Sequence, residues 1–441
     1  MPEPLKVYLN DTLLGTVAPS RTRPLSVTFT VDDGWSGASD DLTEGFQLVP
    51  GQTIDTLPTS NFFGGYVPEG EHRTMIAARA RFDANDLFEW LKRYGLTMAG
   101  ALSFRSDNPA DTRPGTYRPL SNRDVIRKLE QEKRDFDLGN EPDSGRSMLP
   151  GFQPKLLAAR FNGEWFYPEN RAHSTHILKP PPARRPATIF DEFFSHELGR
   201  AMGLTTFGSE LLTYNGHTFL SIERYDRVVT GDQVQLIHQE DAAQALGLDW
   251  VNSATKFQEP SAPNRTGRPS ARKIAELFGS FGDGSDAETW LRYLIYGVLV
   301  GNHDGHAKNV SIIHDADGPH IAPMYDAVPI LHINDDPSRV NEQRIPDAMA
   351  LAIGGEFNHH SVTVDHFFDE VDSWGAFGSR RASLIIHQTL NRFGEALEAA
   401  PEVAGGSPGL KNRLGYNLDR LIAGKSIGKP KLPLDDWRAA S

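Results

Sequence analysis

The chain has 441 residues, room for about three domains at roughly 150 residues each, and its 45 basic against 58 acidic residues leave a net charge of −13. That balance argues against a broad nucleic-acid-coating surface while leaving a basic partner or a local basic patch open. With 39% hydrophobic residues the chain is too apolar for wholesale disorder, and with no cysteine it excludes thiol nucleophiles, thiolate metal sites, disulfides and iron–sulfur clusters. The start, Met1 to Lys6, lacks a cationic region followed by an apolar one, and the longest apolar run, Tyr293 to Val300, is far short of the roughly 20 residues that span a bilayer. A soluble cytoplasmic protein with no membrane contact is expected.

In chain order, Lys6–Leu9 and Leu13–Val17 flank the turn-rich Asn10-Asp11-Thr12 and read as a hairpin, and Leu25–Thr30 alternates with period two as a third strand. Leu87, Trp90 and Leu91 share one face of a helix over Ala84–Tyr94. The charged, apolar-poor stretch from Gln131 to Ser147 marks a domain boundary, after which strands are expected at Lys155–Phe161, Glu164–Tyr167 and Ser174–Leu178. A Pro-rich stretch, Pro180–Pro186, leads into a helix over Thr188–Gly203 whose stripe of Phe190, Phe193, Phe194, Leu198, Ala201 and Met202 is expected to pack on a sheet. Strands at Leu211–Thr213 and Thr218–Arg224 follow, and beyond Asp232 the character turns helical. The polar segment Asn252–Arg272 reads as an exposed excursion, with helices at Lys273–Phe278, Thr289–Val300, Asp365–Val371, Arg381–Phe393 and Leu410–Leu421. The resulting layout is 1–135, an N-terminal β-containing subdomain; 136–235, a small lobe made of a sheet carrying one helix; and 236–441, a helical lobe. A small sheet-rich lobe ahead of a helical one suits a nucleotide held between them.

The densest set of catalytic residue types is Gly301-Asn302-His303-Asp304-Gly305-His306-Ala307-Lys308-Asn309, followed by Met324-Tyr325-Asp326. Asp304 and Asn309 are five apart, the offset of base and metal-binding Asn in a protein-kinase catalytic loop. Asn309–Ile313 and Pro319–Tyr325 read as strands about an Asp317-Gly318 turn, which places Asn309 opposite Asp326. Cβ atoms so opposed lie about 4.5–5.5 Å apart, so one Mg²⁺ could touch both hard oxygen donors while Asp304 accepts a proton from an attacking hydroxyl. A hairpin with polar turn caps is the plainer reading of the same residues. His303 reads as a loop brace and His306 as a phosphate-side donor. A histidine metal site using His303, His306, Asp304 and His359 or His360 would need a helix where Gly305 favours a loop.

Lys179 ends a strand where a small-lobe lysine would meet ATP phosphates, with Glu192 or Glu197 of the next helix as ion-pair partner. Glu192 is favoured because it lies opposite the apolar stripe; by itself Lys179 reads equally well as a solvated strand end. Pro150-Gly151-Phe152-Gln153-Pro154-Lys155 combines a Gly that lets backbone approach phosphate with a Lys, without being a Walker A. Glu223-Arg224-Tyr225 stands where a hinge would read adenine.

Taken in order, these pieces resemble the HipA family of bacterial serine/threonine kinases, the toxins of HipBA toxin–antitoxin modules. The resemblance runs over nearly the whole chain: Arg23-Pro24-Leu25-Ser26, Asn61-Phe62-Phe63 with Pro68-Glu69-Gly70, Gly151–Lys155, His176-Ile177-Leu178-Lys179, Glu223–Arg227, Gln239-Glu240-Asp241, Asp304–Asn309 and Tyr325-Asp326. It implies a two-lobed, α+β, protein-kinase-like fold with an extra N-terminal subdomain and an all-helical C-terminal lobe. It implies ATP and Mg²⁺ as cofactors, Asp304 as catalytic base, Asn309 and Asp326 on the metal, and Lys179 on the phosphates. His306, Ala307 and Lys308 line the phosphate side beside Tyr325, residues 150–155 form the phosphate loop, and Glu223–Tyr225 the hinge. It further implies a growth-inhibiting toxin that phosphorylates an aminoacyl-tRNA synthetase, the glutamyl enzyme foremost. A HipB-like antitoxin dimer would neutralise it and supply the DNA contact, since Phe357–Asp369 carries no Lys or Arg. Met148 stands three residues before Gly151, where family members can carry an autophosphorylated serine; Ser144 and Ser147 are displaced, with Ser147 the candidate here. The competing readings are a nucleotide-binding corepressor and a small-molecule kinase.

Overall fold

The computed structural model describes residues 2–38, 42–109, 111, 113–138, 153–332 and 345–430, with side chains of 136–138 left aside. Pro150, Gly151 and Phe152 of the expected phosphate loop, and Ser144, Ser147 and Met148, lie outside them. The chain divides into two compact units: Met1–Pro180 with Phe207–Thr255 and Ser311–Pro319, and Pro181–Thr206 with Lys256–Val310 and His320–Ser441.

The first unit opens with a five-stranded antiparallel sheet ordered Thr53–Ile54, Val27–Val31, Thr12–Pro19, Leu5–Leu9, Leu102–Arg105. The expected hairpin is present, closing at Leu9↔Thr12 with Asn10 at φ 55°, a conformation Asn tolerates better than most residues. Alternation puts Leu5, Val7, Leu9, Val27, Phe29 and Val31 on the buried face. Helix Thr56–Gly64 covers it through Phe63, whose ring meets Phe29 and Phe104 edge-on at 5.5 and 5.1 Å. A Cβ at Gly15 would stand 2.2 Å from the Thr30 carbonyl, so the strands approach there only because residue 15 has no side chain. Asp86 caps helix Leu87–Tyr94 by accepting from the Glu89 amide, and Leu87, Trp90 and Leu91 are buried on one face as expected.

A second, six-stranded antiparallel sheet runs Ser209–Tyr214, His217–Glu223, His176–Lys179, Leu156–Phe161, Glu164–Glu169, Thr116–Leu120. Helix Asn122–Leu138 packs Val125 and Leu129 into its core beside Leu156, Trp165 and Phe219. This moves the division within the unit. The charged stretch expected to mark a boundary begins inside a helix whose spaced apolar residues dock on the second sheet, and strand Thr116–Leu120 already belongs to that sheet. Beyond Asp232 the chain stays extended, as Gln233–Leu236 and His238–Asp241, before Asp241 caps Ala242–Ala245 with a capping box to Gln244. His238–Asp241 pairs with Ser311–Asp315, so residues 236–255 and 311–319 belong to the sheet-bearing unit and not to the helical one.

The second unit is built around helix Ser285–Val300, which buries Leu291, Ile295, Tyr296, Val298 and Leu299. Ala271–Gly279, Val364–Trp374, Ser379–Ala399 and Leu410–Ile422 complete a helical core, pinned where Trp290 donates to the Ala271 carbonyl and Asn417 to that of Leu299. The unit is not all-helical, because Ala348–Ile353 pairs with Glu356–Asn358. Helix Thr188–Ala201 also belongs here, packed against helix Ser379–Ala399 instead of a sheet. Its burial runs nearly all round, taking in Ile189, Asp191, Glu192, Phe194, Ser195, His196 and Leu198. Glu192, expected opposite the apolar stripe, is 1% exposed with His196 Nε2 at 3.8 Å, while Glu197, expected within the stripe, is the outward carboxylate, bonded to Arg200 at 2.5 Å.

Several buried histidines tie stability to pH. In the first unit, His238 lies with Nε2 2.9 Å from the Leu42 carbonyl and Nδ1 accepting from the Ala101 amide at 3.4 Å, a neutral tautomer carrying its proton on Nε2. Burial, with His314 alongside, pulls its pKa down to about 3, and burial among arginines does the same to His173. The unfolded chain takes these protons near pH 6.5, so below that pH it binds more protons than the native state and stability falls. Urea unfolding should show flat stability above pH 7 and a loss of about 2 kcal/mol for each of the two rings by pH 5. His238→Gln, which keeps a donor for Leu42, should flatten the slope. Stability independent of pH between 7 and 5 would contradict these assignments.

Candidate active site

The loop after helix Ser285–Val300 is set by the helix end. Gly301 caps it at φ 72°, a left-handed turn that glycine makes without a Cβ penalty, and accepts the Leu331 amide on its carbonyl. Asn302 Oδ1 then accepts the Asp304 amide at 3.1 Å, and the Asp304 carbonyl accepts both the His306 amide at 2.8 Å and Asn309 Nδ2 at 2.9 Å. Asp304 and Asn309 are thus joined directly: the Asn309 amide nitrogen is committed to Asp304 backbone, which presents Oδ1 as the hard oxygen donor. The Asp304 carboxyl is half exposed, with His306 Nε2 3.9 Å from Oδ1. His306 itself is buried, its ring edge-on to Phe257 at 5.3 Å. His303 is held by its own carbonyl, which accepts the Ala350 amide at 2.9 Å, and burial lowers its pKa.

Asn309 and Asp326 do not meet as a cross-strand pair. The strands are Ser311–Asp315 and Gly318–Ile321, joined by Ala316-Asp317; Asn309 lies in a 3-10 turn, Ala307–Asn309, and Asp326 on irregular backbone with φ 55°. The polar sequence about Asn309 favours side-chain-to-backbone bonds over a ladder, which is why the register argument fails there. What ties the two segments is the Tyr325 hydroxyl, which donates to the Lys308 carbonyl at 3.0 Å. A left-handed aspartate costs of order 1 kcal/mol and persists only where its surroundings over-determine it. Here they do. The Met324 amide donates to Leu204 and Thr205 Oγ1 to the Met324 carbonyl, both at 2.8 Å; Tyr293 bridges the Leu204 and Ala322 carbonyls; and Ser195 Oγ donates to Ala327 at 2.5 Å while bonded to Tyr296.

These supporting residues carry no motif and were missed from sequence; only their partners, the backbone atoms of 322–327, explain them. The cavity behind the loop, lined by Leu294, Val298, Asn309, Met324 and Met349, is about 60 Å³, far too small for a nucleotide. Among the described residues no three His, Asp or Glu side chains form a metal-holding group. The chemistry of the two expected donors, the Asn309 amide oxygen and the Asp326 carboxylate of the tied segment, suits a Mg²⁺ that would take its remaining ligands from phosphate and water.

In the first unit, Lys179 is no solvated strand end: it is 8% exposed on an inner strand, paired with Leu220. Glu192 belongs to the other unit. Lys155 follows Gln153 and Pro154 at the head of strand Leu156–Phe161, and burial together with the Lys155 charge brings His72 down to about 4. At the expected hinge the three residues part. Glu223 takes the Gly208 amide at 2.9 Å, and the Tyr225 hydroxyl bonds Gln239. Arg224 turns inward. Its guanidinium grips Asp226 at 2.9 and 2.7 Å and reaches Ser174 and the Met98 carbonyl, while Arg227 binds the same carboxylate and the Met98 and Gly100 carbonyls. Its side chain therefore locks the strand end to residues 98–100, which leaves the backbone of residues 223–225 for the expected hinge. Glu240, within the Gln239-Glu240-Asp241 motif, likewise accepts from Thr43, the Glu44 amide and His314.

Comparisons with known proteins agree with this layout. The family model described as the HipA N-terminal domain matches residues 5–105, ending where the first sheet ends, and that described as the HipA-like C-terminal domain matches residues 147–397. A Sinorhizobium fredii protein named "Putative kinase Y4mE" is 37% identical over 357 residues, 76% of this chain and 78% of its own. The "Serine/threonine-protein kinase toxin HipA" of Shewanella oneidensis is 24% identical over 372 residues, 81% of this chain and 80% of its own. The structure of the Shewanella oneidensis toxin–antitoxin complex of HipA, HipB and operator DNA matches with a TM-score of 0.76 at 20% identity, covering 99% of this chain and 100% of that one. That likeness shows that the chain shares the α+β fold of that structure. With both of its domains matched in order, the chain belongs to the HipA family of kinases.

Proposed function

We propose that the protein is an ATP- and Mg²⁺-dependent serine/threonine protein kinase acting as the toxin of a toxin–antitoxin module. The observation that carries this reading is the Asn309 Nδ2 bond to the Asp304 carbonyl, with Tyr325 tied to Lys308, which joins the loop bearing a base and an amide oxygen to the segment bearing a second carboxylate. Phosphoryl transfer asks the protein chiefly for positioning and charge neutralisation. Asp304 accepts the proton of the attacking serine or threonine hydroxyl. Asn309 and Asp326 would hold Mg²⁺, which supplies neutralisation of the phosphoryl oxygens. Lys179 would contribute a buried cation to the phosphates, and His306 and Lys308 further donors.

From the family resemblance the acceptor is an aminoacyl-tRNA synthetase, the glutamyl enzyme first, and the neutralising partner a HipB-like antitoxin dimer. The net charge of −13 suits a basic, DNA-binding partner, leaving operator contact to the antitoxin. Expression without the antitoxin should arrest growth, and Asp326→Ala should abolish the arrest; arrest that survives this change would refute kinase-dependent toxicity.

Tyr325→Phe tests the brace alone. Losing one hydrogen bond costs about 1 kcal/mol, so the unfolding midpoint should move little while the Mg²⁺ concentration for half-maximal transfer rises several-fold. An unchanged Mg²⁺ dependence would show that Tyr325 does not position Asp326.

A further inference from the structure

We propose that a cleft in the second unit, remote in sequence from the catalytic loop, binds a small phosphorylated metabolite. The cleft has a volume of about 440 Å³ and lies among the chain leaving helix Thr188–Ala201, helix Ser285–Val300 and helix Ser379–Ala399. That volume falls in the range of small-molecule sites, roughly 300–1,000 Å³. Arg292 enters it from one helix, and Gln388, Asn391 and Arg392 from another, where spacings of three and four put them on one face. Met202 and Leu204 supply an apolar wall.

The charges point to a multiply charged oxyanion. Arg292 has one carboxylate partner, Glu288, at 3.5 Å, and Glu288 is already held in a two-pronged grip by Arg381 at 2.5 and 2.7 Å. Arg392 is exposed and makes no ion pair among the described residues. Two arginines of different helices line one concavity in a chain of net charge −13, together with two carboxamide side chains that can donate. The planar five-donor fork matches phosphate geometry, and a carboxamide pair extends it to further oxygens.

The cleft is also wired to the proposed active site. The carbonyl of Leu204, in its wall, accepts the Met324 amide at 2.8 Å and the Tyr293 hydroxyl at 3.3 Å, two residues before Asp326. Occupancy would brace the segment that bears Asp326; this coupling rests on the kinase reading, whereas binding does not.

The test is calorimetric titration of the full chain with inorganic pyrophosphate, without Mg²⁺, in a Lys179→Gln background that removes the expected phosphate contact of the nucleotide site. One saturable site is expected there, weakened tenfold or more by adding Arg392→Gln and likewise by Arg292→Gln. Arg392 is exposed, so its replacement leaves the fold intact and decides the matter should the Arg292 variant unfold. Absence of saturable binding, affinity unchanged by Arg392→Gln, or equal affinity for citrate would overturn the proposal.

Discussion

Asp304→Asn should leave ATP affinity within about twofold of the wild type while phosphoryl transfer falls by about 10²–10⁴, the range supplied by a positioned general base. The asymmetry follows from how the loop is held. Asn309 bonds the Asp304 carbonyl and Asn302 bonds its amide, and both bonds, made by the backbone of residue 304, survive the substitution. Asparagine fills the same volume and differs in having no basic oxygen. Equilibrium binding of a labelled nucleotide beside single-turnover transfer separates the two quantities. Transfer within tenfold of the wild type would remove Asp304 as base; equal losses of binding and transfer would make it a nucleotide-binding residue.

Asp226→Ala should be among the most damaging single changes in the first unit. The Asp226 carboxyl is 3% exposed, with the Arg224 and Arg227 side chains 4% and 1% exposed around it. Burial alone would push this carboxyl up, but the two guanidiniums, with hydrogen bonds from Arg224 and the Gly100 amide, hold it well below the usual carboxylate range. Removing it leaves two buried cations facing one another, and breaking a buried pair costs about 3–5 kcal/mol. The Gly100 amide, which donates to Asp226 at 2.8 Å, loses its acceptor as well. The variant should show a denaturant midpoint lowered by that amount, with the linkage between residues 98–100 and strand end 223–227 opened to hydrogen exchange. A loss below 1 kcal/mol would mean that the Met98 and Gly100 carbonyls alone can hold both arginines.

The parts legible in the sequence were those in which local chemistry and tertiary packing agree. The hairpin about Asn10, the capped helix after Asp86 and the αL stop at Gly301 each declare themselves through turn or cap residues. The Asp304–Asn309 run is legible for another reason: it closes on itself through Asn302 and Asn309, so its spacing is its geometry. The burial of Glu192 was not legible because a helix buried nearly all round has no polar face to read. The inward turn of the Arg224 side chain was not legible because nothing local reveals that residues 98–100, over 120 positions earlier, supply carbonyls for it and for Arg227. The Asn309–Asp326 register failed because a two-residue turn fixes pairing only as far as the strands run, and these end at Ile321. Ser195, Thr205 and Tyr293 could not be found at all, since each acts on a carbonyl more than 25 residues away.

The measurement that bears most directly on the proposed activity is incubation of the purified protein with radiolabelled ATP, Mg²⁺ and a cytosolic extract. A discrete labelled protein is predicted, at the mass of an aminoacyl-tRNA synthetase, absent when Mg²⁺ is chelated and absent with Asp304→Asn. Tight ATP binding with no label passing to any protein would contradict the kinase reading and leave a nucleotide-binding corepressor in its place.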